Sequence, residues 1–223
     1  MELTNRLKTV YELLPENCVM IDVGTDHCYL PIYALQQGKI SRAYAADVRM
    51  GPLQNGQANA RLYGFEDCIT TLLSDGLCAL TEKQQKDIDT VVCAGMGGTL
   101  IENIICAAPF LKDPSKTLIL QPQKAIYELK EFLFSEGFMI EAEALAQENE
   151  KMYQCLRVRF DGVCRQAPNP FLLLKEHSLF DAFAKAEHRR LRRQKLGMEQ
   201  GNIPDKARYD AVCKLLTQLE EVR

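Results

Sequence analysis

The sequence predicts an α/β fold, a mostly parallel sheet with helices on both faces, followed by a C-terminal antiparallel helical hairpin. Three observations carry this. Short apolar runs ending in a carboxylate or glycine alternate with helix-periodic segments through the first 135 residues, the signature of strand–helix–strand units with right-handed crossovers. Two alternating runs at 138–146 and 152–160 then read as a closing antiparallel pair. Beyond Asp161-Gly162 the chain turns to long helix-periodic stretches. A length of 223 residues holds one such domain and a small appendage, with the boundary expected between 162 and 163.

Taken in order, residues 3–14 place Leu3, Leu7, Val10 and Leu14 at helical spacing, with Thr4 or Asn5 as cap and Pro15 as terminator. The first strand is 18–23, emptying into Gly24, and the first crossover helix is 29–37, stopped by Gly38. A second apolar run, 43–47, ends on Asp47, 23 residues beyond Gly24. That is the separation at which an acidic residue ends the second strand and binds ribose hydroxyls. Gly51-Pro52 opens a helix to about Tyr63. Strands at 68–73, 88–94 and 117–120 empty into Ser74-Asp75-Gly76, Gly95-Met96-Gly97-Gly98 and Gln121-Pro122-Gln123, with helices at 99–107 and up to Ser135. Five such units and a hairpin make a Rossmann-like layout, in which ligands bind outside the carboxyl ends of the strands. After a Pro168-Asn169-Pro170 linker, 171–196 reads as one long helix with Phe180, Ala184, Glu187 and Leu191 on one face. A turn over 197–204 leads to a helix carrying Val212, Leu215, Leu219 and Val222, so the pair reads as a coiled-coil-like hairpin.

Composition narrows the function. No apolar run is long enough to span a bilayer, and the N-terminus lacks a basic–apolar–small export pattern. Nine cysteines without a C-x-x-C pair fit reduced thiols in a cytoplasm. The histidines at 27, 177 and 188 are isolated, so no metal is expected. Residues 1–160 carry 15 basic against 21 acidic side chains, and 161–223 carry 12 against 9. Lys185, Arg189, Arg192 and Arg193 fall at i, i+4, i+7 and i+8, one helix face that Arg190 and Lys195 widen. Such a face beside an acidic domain suits a nucleic acid backbone; the bland alternative is a solvated helix surface.

The stretch VMIDVGTDHCYLP (19–31) is the centre of the chain's chemistry. Gly24 lets backbone approach a ligand closely. The single glycine is not G-x-G-x-x-G, and it fits a ligand lacking a pyrophosphate better than a dinucleotide. S-adenosylmethionine, an adenosine joined to a charged amino acid, is such a ligand.

The strings DVGTDHCYLP (22–31), Asp47 with Gly51-Pro52, Ser74-Asp75-Gly76, AGMGG (94–98) and Leu120-Gln121-Pro122 occur together and in order, after an N-terminal LTNRL (3–7). Together they resemble the bacterial tRNA (adenine-22, N1)-methyltransferases over the whole chain; Gln123 stands where that family typically has asparagine. The resemblance implies a class I methyltransferase core at 1–162, a helical tRNA-binding appendage at 163–223, S-adenosylmethionine as cofactor and tRNA as substrate, with no membrane and no metal. On that reading Asp22, Gly24 and Thr25 shape the floor under the cofactor's methionine. Asp47 and Val48 take its ribose hydroxyls, Ser74, Asp75 and Gly76 sit beside its adenine, and Ala94, Gly95 and Met96 offer backbone to its amino group. Asp26, His27 and Tyr29 face the target base, and Arg6 joins Lys185, Arg189, Arg190, Arg192 and Arg193 in binding RNA. Blander roles stand beside these: Asp75 as a turn cap, Asp47 as a solvated strand end, His27 as a helix cap, Tyr29 as sheet packing.

No Asn/Asp-Pro-Pro-Tyr/Phe follows the fourth strand, where enzymes that methylate exocyclic amines usually keep it. A ring nitrogen is therefore the expected target. Three rival readings exist. A different RNA or a protein acceptor leaves the basic helix unexplained, a non-catalytic RNA-binding module has no need of Asp47 and Asp75, and a dehydrogenase sits poorly with the single-glycine turn.

Overall fold

The computed structural model describes residues 1–201 and 205–223 and divides into two compact units, Met1–Gln166 and Ala167–Arg223. In the first, the strands are β1 (Cys18–Val23), β2 (Ile40–Asp47), β3 (Ile69–Leu73), β4 (Thr90–Gly97), β5 (Thr117–Lys124), β6 (Phe138–Glu148) and β7 (Lys151–Phe160). They form one sheet in the order β3-β2-β1-β4-β5-β7-β6, with the first five parallel and β7 antiparallel to both its neighbours. The strand order reverses between β1 and β4, the switch point beside which open α/β sheets bind ligands. The central strands are covered on both faces, so they read as apolar runs: Met20, Ile21, Val92, Leu118, Ile119 and Leu120 are fully buried.

The helices are α1 (Asn5–Leu13), α2 (Tyr29–Gln36), α3 (Met50–Leu62), α4 (Glu82–Asp87), α5 (Gly98–Cys106) and α6 (Ile126–Ser135). Thr4 is the cap of α1, its side chain accepting from the Leu7 N–H at 3.4 Å. α1 packs on β5, β6 and β7, anchored by Asn5 Nδ2 on the Gln147 carbonyl at 3.0 Å. On α6, Lys130 reaches Glu143 at 2.7 Å and Gln154 at 3.2 Å, a buried ion pair that ties the helix to the β6–β7 hairpin.

The structure departs from the expected elements in three places. First, α4 breaks no apolar pattern because it buries nothing; a Thr81–Gln84 capping box starts it. Second, β4 and β5 run on through the Gly95-Met96 and Gln121-Pro122 segments expected as turns. Met96 pairs with Pro122 and Gly97 with Lys124 across register shifts, so the glycines and proline mark bulges, not chain reversal.

The third departure lies in the second unit. The helix expected from 171 begins only at Phe180: α7 is Phe180–Gln200, and 172–174 form a 3-10 turn. Asn169 causes this, its Oδ1 accepting the Phe171 N–H and its Nδ2 donating to the Gln218 carbonyl. The helix also runs through Gly197, and the rest of the expected turn, 202–204, lies outside the described residues. Phe180, Ala184, Glu187 and Leu191 are buried, as their shared face requires. α8 (Lys206–Val222) pairs antiparallel with α7: His188 meets Glu220 at 3.3 Å and Glu199 meets Tyr209 at 2.8 Å.

Candidate active site

Gly24 sits at φ +74, where a side chain would be strained, and a Cβ there would fall on Met96 Cε. Its N–H and that of Thr25 both donate to the Ala46 carbonyl, which binds the first turn to the end of β2. Thr25 then organises the next step: its hydroxyl oxygen accepts the Cys28 N–H at 3.2 Å and bonds the buried Asp22 carboxyl. Cys28 takes the left-handed conformation at φ 54 to start α2, and α3 approaches it so closely that Gly56 has room for no Cβ.

Burial dominates the electrostatics of Asp22. It raises the pKa from 3.8 to about 6, against the Thr25 hydrogen bond and the Arg6 charge, with the Asp47 charge adding to the rise. Burial also lifts the thiols of Cys28, Cys93 and Cys155 to about 12, so these cysteines stay protonated at neutral pH.

Asp47 is buried at the end of β2. Its Oδ1 accepts the Arg49 N–H at 2.8 Å and faces Arg49 Nε at 3.5 Å. Its Oδ2 has no hydrogen-bond partner among the described residues, so the carboxylate retains an acceptor for a vicinal diol. Val48 and Met50 beside it are exposed apolar side chains, at 65% and 52%. Ser74 is buried, its N–H on the Asp47 carbonyl and its Oγ accepting the Ala79 N–H, while Asp75 is exposed and Gly76 packs on Ile104.

Ala94, Gly95 and Met96 occupy the bulged end of β4, with Gly95 at φ +82. Gln121, fully buried, holds this end in place: its Oε1 accepts the Gly95 N–H at 3.1 Å and Arg6 Nη1 at 2.9 Å. Sequence reasoning misses both roles. The Leu120-Gln121-Pro122 string is the available signal for Gln121; nothing local signals the position of Arg6.

Asp26, His27 and Tyr29 are brought together. His27 Nε2 lies 3.2 Å from Asp26 Oδ2, and the His27 and Tyr29 rings stack at 5.0 Å and 18°. Asn59 donates to the His27 carbonyl at 3.0 Å, and Tyr29 is 42% exposed. Among the described residues no three of His, Cys, Asp and Glu gather into a group that would hold a metal ion.

In the second unit, Lys185, Arg189, Arg192 and Arg193 are exposed on α7, and no carboxylate lies within ion-pairing distance of them among the described residues. Arg190 differs: Glu187 takes it in a fork at 2.6 and 2.8 Å, and Lys195 pairs with Glu199 at 3.1 Å. Arg190 therefore presents less free charge than its neighbours.

Comparison with known proteins agrees with this architecture. Residues 3–156 match the family described as a methyltransferase domain. The chain is 31% identical over 190 residues to the tRNA (adenine(22)-N(1))-methyltransferase of Bacillus subtilis, covering 81% of this chain and 79% of that one. It superposes on the crystal structure of the B. subtilis m1A22 tRNA methyltransferase TrmK with a TM-score of 0.82, at 28% identity, covering 99% and 98% of the two chains. A Streptococcus pneumoniae protein solved in complex with S-adenosyl-L-methionine gives the same TM-score and identity, over 99% of each chain.

Proposed function

The chain belongs to the tRNA (adenine(22)-N(1))-methyltransferase family, and on that premise we propose that it transfers a methyl group from S-adenosylmethionine to N1 of adenine 22 in tRNA. The observation that carries the reading at the site is the buried Asp47 with an acceptor oxygen to spare, next to the Gly24 turn. A diol acceptor and a glycine floor at adjacent strand ends fit an adenosine-containing ligand without a pyrophosphate.

S-adenosylmethionine supplies a methyl already activated by its sulfonium. The residues then have to hold, orient and exclude water, with reacting atoms about 3 Å apart. Asp22, Gly24 and Thr25 form the floor; Asp47 and Val48 hold the ribose; Ser74, Asp75 and Gly76 flank the adenine. Ala94, Gly95 and Met96 contribute backbone polar groups, and the bulged strand end offers no side-chain acceptor of the kind an exocyclic amine needs. N1 lies on the pairing edge, so the target adenine is taken out of its helix before transfer. Tyr29 is suited to stack on that base, backed by His27, and Asp26 to accept from its amino group.

Lys185, Arg189, Arg192 and Arg193 are assigned to the tRNA backbone, with Arg190 secondary. No helix among the described residues is long and apolar enough to cross a membrane. Nine free cysteines are in keeping with work in the cytoplasm.

The function is tested by incubating folded tRNA with enzyme and labelled cofactor and analysing its nucleosides by mass spectrometry. 1-Methyladenosine at position 22 is the expected product. N6-methyladenosine as the primary product, under neutral handling that prevents rearrangement, would overturn the proposal. The assignment of α7 makes a second prediction. Reversing Arg189, Arg192 and Arg193 to Glu should weaken tRNA binding at least about tenfold, with cofactor affinity unchanged. The salt dependence should flatten too, by roughly 0.9 in slope for each phosphate no longer neutralised. Unaltered tRNA binding would remove α7 from the interface.

A further inference from the structure

The family resemblance assigns Arg6 to RNA, yet its guanidinium lies against the bulged end of β4. Nη1 donates to Gln121 Oε1 at 2.9 Å and stands 3.6 Å from the position a Cβ would take on Gly95. Gln121 Oε1 also accepts the Gly95 N–H, so one neutral oxygen ties the arginine to the strand end. The charge reaches the floor of the site as well, where it lowers the proton affinity of Asp22. Tyr153 lies at 6.0 Å from the guanidinium carbon, and the Arg6 backbone N–H is fixed on Glu148 Oε1 at 2.7 Å.

This half-buried cation is incompletely matched. A guanidinium has five N–H donors; among the described residues, Gln121 is the sole hydrogen-bond acceptor for this one, and no carboxylate lies within 4.0 Å of it. A partly desolvated charge held this way favours an anion that arrives with a ligand. We infer that Arg6 binds the α-carboxylate of the cofactor's methionine end. The inference rests on the proposed cofactor, whose amino-acid end carries one cation and one anion. Backbone carbonyls at Ala94 and Gly95 suit the ammonium, and Arg6, adjacent to Gly95, suits the carboxylate. Gln121 is then the positioning residue that holds the guanidinium and the Gly95 amide in one register.

Calorimetric titration of wild type and Arg6→Met, with S-adenosylhomocysteine and with 5′-methylthioadenosine, tests this. The second ligand keeps the adenosine and sulfur but lacks the amino-acid group. Arg6→Met is expected to lose about ten- to hundredfold in affinity for S-adenosylhomocysteine, as for charged hydrogen bonds, and less than about twofold for 5′-methylthioadenosine. Equal losses on both ligands would overturn the inference, leaving Arg6 as a shaper of the strand end. No loss on either, with weaker tRNA binding, would overturn it and return Arg6 to the RNA surface. If Arg6→Met does not fold, Arg6→Gln is titrated in the same way, with the same selective loss expected. A wild-type protein that binds neither ligand would instead defeat the cofactor assignment itself.

Discussion

A methyl group added at Gly98 is expected to lower the melting temperature of the protein by ~6–12 °C, corresponding to ~3 kcal/mol in a chain of this size. Gly98 is buried at the first position of α5, where the end of β4 passes the end of β5. A Cβ there would overlap the Ala125 carbonyl oxygen and stand 3.0 Å from Ala125 C and 3.1 Å from Lys124 O. All three are backbone atoms, so no side-chain rotation can relieve the clash. Ala125 is itself fixed, holding φ 57 at the start of α6. Gly51→Ala is the control: it lies on α3 with nothing within 4 Å of the added carbon. That change should be neutral or stabilising by ~0.5 kcal/mol. Thermal melts of both variants decide the matter, and a Gly98→Ala protein as stable as wild type would refute the close approach.

Asp22→Asn is expected to stabilise the ligand-free protein at pH 8 by up to ~3 kcal/mol and to do almost nothing near pH 4.5. The sign follows from the direction of the shift. Burial raises the folded-state pKa from 3.8 to about 6, so the folded protein holds this proton more tightly than the unfolded chain. The stability that comes from it is complete below pH 3.8 and is lost as pH rises through about 6. At pH 8 wild type keeps a buried, ionised carboxylate at a cost that the neutral amide avoids, while the Thr25 hydroxyl still has an oxygen to donate to. Melting curves between pH 4.5 and 8 would show the gap opening with pH. A variant less stable than wild type at pH 8 would contradict the burial argument. A carboxylate kept at such a cost is typical of a position retained for what it binds.

The parts of this site legible in the sequence are those where one local pattern carries the answer. β1 is buried almost continuously, so its six residues stand out as an apolar run, and the carboxylate or glycine after each strand marks the ligand edge. Gly95-Met96 and Gln121-Pro122 mislead because glycine and proline signal a turn and a bulged strand alike; only the neighbouring strand distinguishes them. The late start of α7 depends on Asn169 reaching Gln218, 49 residues away. Arg6 and Gln121 meet across 115 residues, a juxtaposition that no periodicity encodes.

The order of the last strands has a consequence for synthesis. β7 lies between β5 and β6, so β6 has no neighbour to pair with until the final strand of the sheet has left the ribosome. α1, the first helix made, rests on β5, β6 and β7 and is pinned through Asn5 and Arg6 to Gln147 and Glu148. At translation rates of about 5–20 residues per second, its apolar face waits roughly 7–30 s for that platform. During this interval Leu3, Leu7 and Val10 are open to any holdase that recognises short apolar helices, and a pause after residue 160 would let the N-terminus dock before the second unit emerges.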